Sequence, residues 1–167
     1  MQPVRQDMVT VRLAELDDAP DLQAHCLPMA TIVVVREQIE DNIRGLDAGQ
    51  RMHLVACMDG TVVGMVVFVR DAHPLRAHRG GLFSLVTAAA YQGRGLARRL
   101  VEDVGRRVPV MGIEILEISC RAATPAEEIY RRLGFTEYGR LPRGLKEPWG
   151  EQAVFDEVLF YLPVSGR

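Results

Sequence analysis

Two glycines one residue apart, Gly93 and Gly95, stand where an apolar strand-like run gives way to an amphipathic helix, in Tyr91-Gln92-Gly93-Arg94-Gly95-Leu96-Ala97-Arg98-Arg99-Leu100. Those residue types suit the holding of an anion. Glycine lets backbone come close to a ligand, and the N–H groups of a first helical turn have no intrahelical acceptor, so they can point at phosphate oxygens. The helix dipole favours the same negative charge. Spacing separates the nucleotide-type loops that share this logic. A Walker loop needs two glycines five positions apart followed by Lys and Ser or Thr, and the chain has no such run. A dinucleotide loop needs a third glycine where Arg98 stands, with an acidic residue about twenty positions on, where only Glu114 and Glu117 fall. What remains is Gln92-x-x-Gly95-x-Ala97.

That pattern resembles the pyrophosphate loop of the GNAT family of N-acetyltransferases: Arg or Gln, two residues, Gly, one residue, then Gly or Ala. A second family signature, a short helix ending in Tyr-x-x-x-Gly-Phe, stands at Tyr130-Arg131-Arg132-Leu133-Gly134-Phe135. The two lie in the family's order and at roughly its separation, and the resemblance extends from about Val9 to Leu162. One departure is that the family usually has Asn seven residues before the tyrosine. Ala123 stands there, so the side-chain contact to the cofactor is absent or passes to Thr124.

The resemblance implies an acyl thioester substrate, acetyl-CoA, with no metal. The acyl-pantetheine arm would lie along Phe83 to Thr87 as an added strand, contacting Leu85, Val86 and Thr87, and the N–H near Val86 or Thr87 would polarise the thioester carbonyl. The pyrophosphate would sit on Gln92, Gly93, Arg94, Gly95, Leu96 and Ala97, with Arg94 or Arg98 available to the phosphates. Tyr130 is the candidate general acid, since a phenol in reach can protonate a departing thiolate; the alternative is a ring that packs helix on sheet. The run Gly81 to Thr87 holds no carboxylate, so Glu117 on the next strand is the candidate base, or else a solvated strand carboxylate. Without a base, the amine would lose its proton through water, with Ser119 able to carry it.

Periodicity supplies the elements that must position these groups. Val9 to Leu13 alternates as a strand, and Asp17 or Asp18 can cap a helix carrying Leu22. From Arg36 a second helix places Ile39, Ile43 and Leu46 on one face. His53 to Met58 and Thr61 to Arg70 read as strands about an Asp59-Gly60 turn, and residues 71–79 as a loop. Gly81 to Thr87 leads into the glycines, and the helix after them buries Leu96, Leu100, Val104 and Val108. Ile113 to Cys120 is a strand, Thr124-Pro125 starts a helix, and strands near Phe135 to Gly139 and Ala153 to Leu162 finish the chain. Residues 140–152, with Pro142, Gly144, Pro148 and Gly150, read as a long loop whose Trp149 lines a substrate mouth or pins the loop. Helices alternating with strands predict an α/β (α+β) layered domain. The resemblance implies a mixed, mostly antiparallel central sheet flanked by helices, one acyl-CoA N-acyltransferase domain over residues 1–167.

Composition narrows the class. With 167 residues, 48% hydrophobic and 25% charged, the chain can bury one core unaided. A net charge of -2 gives no reason to expect nucleic acid. Cys26, Cys57 and Cys120 share no paired spacing, which predicts reduced thiols and a cytoplasmic protein. His25, His53, His73 and His78 lack metal-ligand spacing. Arg5 and Asp7 precede any apolar run, which argues against a signal peptide, and the run Val62 to Val69 is too short to span a membrane. The expectation is an acetyl-CoA-dependent N-acetyltransferase of a small-molecule primary amine. A protein or peptide acetyltransferase and a non-catalytic acyl-CoA-binding module stand as alternatives, and a homodimer is an open option.

Overall fold

The computed structural model describes residues 8–164; Arg5 and Asp7 lie outside the described residues. Among the described residues seven strands, β1 (Val9–Leu13), β2 (Arg51–Met58), β3 (Thr61–Arg70), β4 (Arg79–Thr87), β5 (Ile115–Arg121), β6 (Thr136–Lys146) and β7 (Val154–Pro163), run in the order β1-β2-β3-β4-β5-β7-β6. β1 with β2, β2 with β3, β5 with β7 and β6 with β7 pair antiparallel, and β4 with β5 parallel. The chain divides into two compact units. One comprises the described residues up to Arg70 together with Leu82–Arg107, the other Asp71–Gly81 with the described residues from Val108 on. β4 (Arg79–Thr87) is cut by this division, its first three residues belonging to the second unit.

In the first unit, β1 (Val9–Leu13), β2 (Arg51–Met58) and β3 (Thr61–Arg70) form a meander. Asp59 and Gly60 both take positive φ, 50° and 87°, as a two-residue turn matched to strand twist requires. Nearly every residue of β2 and β3 is buried, because helices cover both faces. On one face lies a core of Ala19, Leu22, Val35, Ile39, Val55, Met65 and Val67. On the other packs α3 (Leu96–Arg107), burying Leu96, Leu100, Val101 and Val104 at helical spacing. Gly64 is the point of closest approach: a Cβ there would stand 3.3 Å from the Val86 carbonyl oxygen and 3.4 Å from Leu100.

Two helix starts differ from the sequence expectation. Residues 16–26 wind through a 3-10 turn (Leu16–Asp18), one α turn (α1, Ala19–Asp21) and a π turn (Leu22–Cys26). Asp18 sits inside that first turn, accepting from the Glu15 N–H at 2.8 Å and pairing with Arg12 at 2.6 Å. Burial pushes its carboxyl pKa up, but the Arg12 and Glu15 hydrogen bonds outweigh that, and the net shift is downward. α2 (Ile32–Asp47) begins four residues before Arg36, where the Thr31 hydroxyl accepts from the Val34 N–H at 3.4 Å. The β-branched run Val33-Val34-Val35 argued against helix locally, and the cap with the burial of Val35 overrides it. Ile43 is exposed, and the buried position nearest it is Asn42.

The second unit carries β5 (Ile115–Arg121), α4 (Pro125–Arg132), β6 (Thr136–Lys146) and β7 (Val154–Pro163). The expected long loop over 140–152 is absent. β6 runs to Lys146, pairing Leu141 with Glu157 and Leu145 with Phe155 across a bulge. Pro142 fits because β6 is an edge strand, where a missing N–H costs no ladder bond. Arg143 takes φ 57° in the bulge and donates its N–H to Asp156 Oδ1 at 2.8 Å. The connection is only residues 147–153, and Trp149 is 65% exposed, so the indole does not pin it. β4 also starts earlier than expected, at Arg79, after a 3-10 turn at Pro74–Arg76.

His53 is 5% exposed, and burial drops its pKa from 6.5 to about 4, against a smaller upward pull from Asp18. An unfolded chain therefore takes up this proton first as pH falls. The stabilisation is complete above pH 6.5 and is lost between there and about pH 4, in total on the order of 3 kcal/mol. Urea unfolding followed from pH 8 to 5 should show stability falling below pH 6.5, and His53→Gln should flatten the curve. An equal slope in wild type and variant would assign the loss elsewhere.

Candidate acyl-CoA site

The glycine loop is built as a cradle. Gly93 and Gly95 adopt φ 76° and 77°, the left-handed region, and no heavy atom lies within 4 Å of where either Cβ would stand. The first α3 residues lie upstream of any intrahelical acceptor, and the Arg99 N–H is the one that turns back to the Gly95 carbonyl, at 3.1 Å. Gln92, Gly93, Arg94, Gly95 and Arg98 are exposed, Ala97 is partly so, and Leu96 is buried as the anchor of the helix. Gln92 donates its side-chain amide to the Thr87 carbonyl at 3.5 Å, tying the loop to the end of β4. Arg94 lies 5.3 Å from the Tyr91 ring centroid and contacts the Met58 sulfur, so its guanidinium is turned back to the body of the unit. The loop thus presents backbone N–H groups beside open space.

β4 carries a second set of donors. It pairs with β5 only through Arg79, Gly80 and Gly81, and among the described residues the edge of Leu82 to Thr87 opposite β3 has no ladder partner. Mid-strand, Ser84 takes φ 51°, which breaks the alternation and leaves Phe83 and Ser84 both exposed, while Leu85, Val86 and Thr87 are half-buried. Nothing in the local residue types marks this kink, because serine has no preference for that conformation.

Tyr130, Ala123, Thr124 and Glu117 all belong to the second unit. Tyr130 packs edge-on against Phe160 at 5.7 Å and tilted against Phe135 at 6.3 Å. Burial first, then the nearby Cys120, pushes its pKa up to about 12. Among the described residues its hydroxyl has no hydrogen-bond partner, so the ring is packed and the O–H is available to donate. Ala123 holds φ 59°, and its N–H donates to Glu127 Oε1 at 2.6 Å. The Thr124 hydroxyl donates to the Arg121 carbonyl at 2.8 Å, so Thr124 locks the entry to α4.

Glu117 is partly exposed and held by partners on two other strands. Arg79 reaches both its oxygens, at 2.6 and 3.0 Å, and the Tyr138 hydroxyl donates to Oε1 at 2.9 Å. Burial and then this bond raise the Tyr138 pKa to about 12. Arg79 and Tyr138 were missed in sequence, since each lies on a different strand from Glu117. Also missed was a cavity of about 350 Å³ in the first unit, walled by Met65, Val67, Val69 and Phe83. Its polar side includes Asn42 and Arg51, and the one available signal was a polar Asn42 continuing the buried positions Val35 and Ile39 of α2. No cluster of His, Cys, Asp and Glu suited to a metal occurs among the described residues.

The glycine loop on a helix start, the open strand edge and the tyrosine helix define a class, and comparison with known proteins names it. Residues 18–143 match the family model of the acetyltransferase (GNAT) domain, and the chain belongs to that family. It is 35% identical to spermidine N(1)-acetyltransferase of Escherichia coli (strain K12) over 98 residues, 57% of this chain and 50% of that protein. The chain thus spans about half the length of the curated relatives it matches. Among solved structures, an acetyltransferase from Salmonella typhimurium that modifies the N-terminal serine of ribosomal protein L7/L12 superposes with a TM-score of 0.79 at 16% identity, covering 98% of each chain. The yncA protein from Salmonella typhimurium, solved with its cofactor acetyl-CoA, gives 0.76 at 18% identity, covering 95% of each.

Two outcomes test the site. Gly95→Asp puts bulk and negative charge into the cradle and should abolish thermal protection by acetyl-CoA while the far-UV spectrum is kept; retained protection would remove the phosphate assignment. Ala123→Asn relieves an alanine from the left-handed region and should stabilise the protein by roughly 0.5–1 kcal/mol, read as an upward shift in Tm. A lower Tm would mean that Ala123 is held there by packing.

Proposed function

We propose that residues 1–167 form one acetyl-CoA-dependent N-acetyltransferase domain that acetylates a primary amine of a small molecule. The observation that carries this reading is the pairing of an open glycine cradle with an unpaired β4 edge in a chain of the GNAT family. Acetyl-CoA supplies the activated acyl group as a thioester. The cradle residues Gln92 to Ala97 hold its diphosphate on backbone N–H groups, and the edge of β4 at Leu85, Val86 and Thr87 offers backbone bonds to the arm and to the thioester oxygen. In the transfer the amine nitrogen bonds to the acyl carbon, the C–S bond breaks with its electron pair on sulfur, and the proton shed by nitrogen is balanced by one gained at sulfur.

Tyr130 serves the sulfur end. A phenol raised to about 12 stays protonated at neutral pH, so its free O–H is always present to donate. Full transfer to a thiolate of ordinary pKa, about 8.5, is uphill, so its part is a hydrogen bond that strengthens as charge builds on sulfur, with the proton following as nitrogen releases its own. Glu117, clamped by Arg79 and Tyr138, is the candidate acceptor for the amine proton, and the clamp fixes its orientation.

The small-molecule reading does not rest on a lid, since the late loop is short. Its support is the likeness to spermidine N(1)-acetyltransferase and the modest size of the cavity beside α2. Three buried, unpaired thiols, Cys26, Cys57 and Cys120, support a cytoplasmic setting. Among the described residues no helix is long and apolar enough to cross a membrane.

Tyr130→Phe keeps the ring contacts and removes one hydroxyl that has no hydrogen-bond partner among the described residues. Expected are an unchanged Tm, an unchanged Kd for acetyl-CoA and a kcat lower by about a hundredfold, measured as thiol release from acetyl-CoA with an amine panel. Turnover within about threefold of wild type, under 1 kcal/mol of barrier, would make Tyr130 a packing residue only.

A further inference from the structure

Arg51 is the informative residue of the cavity beside α2. Its aliphatic stem lies across α2 at Gly45, where a Cβ would stand 2.7 Å from the Arg51 side chain. A glycine inside a helix costs about 1 kcal/mol relative to alanine, and here it makes a seat. The guanidinium donates to Asn42 Oδ1 at 3.3 Å. Asn42 is itself 5% exposed and fixed from the other side, its amide nitrogen 3.3 Å from His53 Nδ1. Because the amide oxygen faces Arg51, the amide N–H donates to Nδ1, which suits the neutral ring that burial enforces. A helix glycine, a buried amide and a buried histidine thus hold one arginine at a cavity wall, and among the described residues that arginine has no carboxylate partner.

The cavity's other charge is Asp41, which pairs with Arg44 on the same helix. The unspent charge is therefore positive. A polyamine would need the reverse, several carboxylates without partners. Opposite the polar side the wall is aliphatic and aromatic, with Val67, Val69 and Phe83. Phe83 and Ser84 bring this wall to β4, the strand proposed above to hold the acyl arm.

We propose that this cavity binds the acetyl acceptor, and that the acceptor is an amine that also carries a carboxylate, an amino acid with an apolar side chain. Arg51 takes the carboxylate through its fork of N–H donors, and the apolar wall takes the side chain. The inference rests on the N-acetyltransferase reading for its chemistry, and the cavity selects the acceptor.

The test pairs each acid with its amide: leucine and leucinamide, phenylalanine and phenylalaninamide, with spermidine as the polycation. In the wild type the acids should be acetylated with kcat/KM at least tenfold above their amides and above spermidine. Arg51→Ala should reduce the acid-to-amide ratio to near one, chiefly by raising KM for the acids, and Arg51→Lys should restore part of it. The KM for acetyl-CoA reads whether the cradle is intact. Calorimetric titration of the same acids and amides into the protein without acetyl-CoA separates the two claims. Acid binding that depends on Arg51 without any turnover would keep the cavity assignment and overturn the transferase reading. Efficient acetylation of spermidine or of the amides, indifferent to Arg51, would keep the transferase and overturn the carboxylate site.

Discussion

Backbone N–H groups that lack acceptors are the constraint around which the first unit is arranged. A buried or partly buried amide without a partner is costly, so a fold keeps such groups only where water or a ligand completes them. Among the described residues such groups occur close together in the chain, on the edge of β4 beyond Gly81 and on the glycine loop that opens α3. The kink at Ser84 and the positive φ of Gly93 and Gly95 sustain this arrangement, and both cost conformational freedom. The packing of Leu96, Leu100 and Val104 on β2 and β3, with Gly64 as the contact point, anchors the helix that the loop opens and offsets that cost.

The second unit solves a different problem, the placing of ionisable groups. Glu117 sits on the half-covered face of β5, where a strand carboxylate needs partners, and Arg79 and Tyr138 supply them. Between α4 and β6 a further network joins Glu127 and Glu137 with Arg131 and Arg140. Hydrogen bonds from Arg140 and Arg131 bring the Glu137 pKa down to about 2, but this carboxylate is open to solvent, so salt screens the network and its main effect is to fix α4 against the strand. Tyr130 sits on that helix, its ring held by Phe135 and Phe160, and among the described residues its hydroxyl has no hydrogen-bond partner.

The cavity beside α2 shows how polar burial can be tolerated when it is chained. Asn42 and His53 would each be a liability alone in an apolar face, and together with Arg51 they form a supported row from core to cavity. His53 Nε2 is buried and, among the described residues, has no hydrogen-bond partner, which ties the same row to the acid sensitivity of the fold.

Local signals in the sequence determined the elements whose code is short. Asp59-Gly60 specified a hairpin because both residues tolerate positive φ, the spacing of Leu96, Leu100 and Val104 specified an amphipathic helix, and the two glycines before it marked the turn into that helix. Thr124-Pro125 and Gly134 bracketed α4, and the alternation of Leu116, Ile118 and Cys120 placed Glu117 on the opposite face. Tertiary structure decided what depends on partners distant in the chain. The run Val33-Val34-Val35 became helix because Val35 had a core to enter, and Pro142 stayed within a strand because β6 has a free edge. Glu117 acquired its clamp and Arg51 its seat on Gly45 from residues brought together only by sheet pairing and helix packing. Sequence spacing records which face a side chain takes, whereas the identity of the group it meets there is a property of the folded chain.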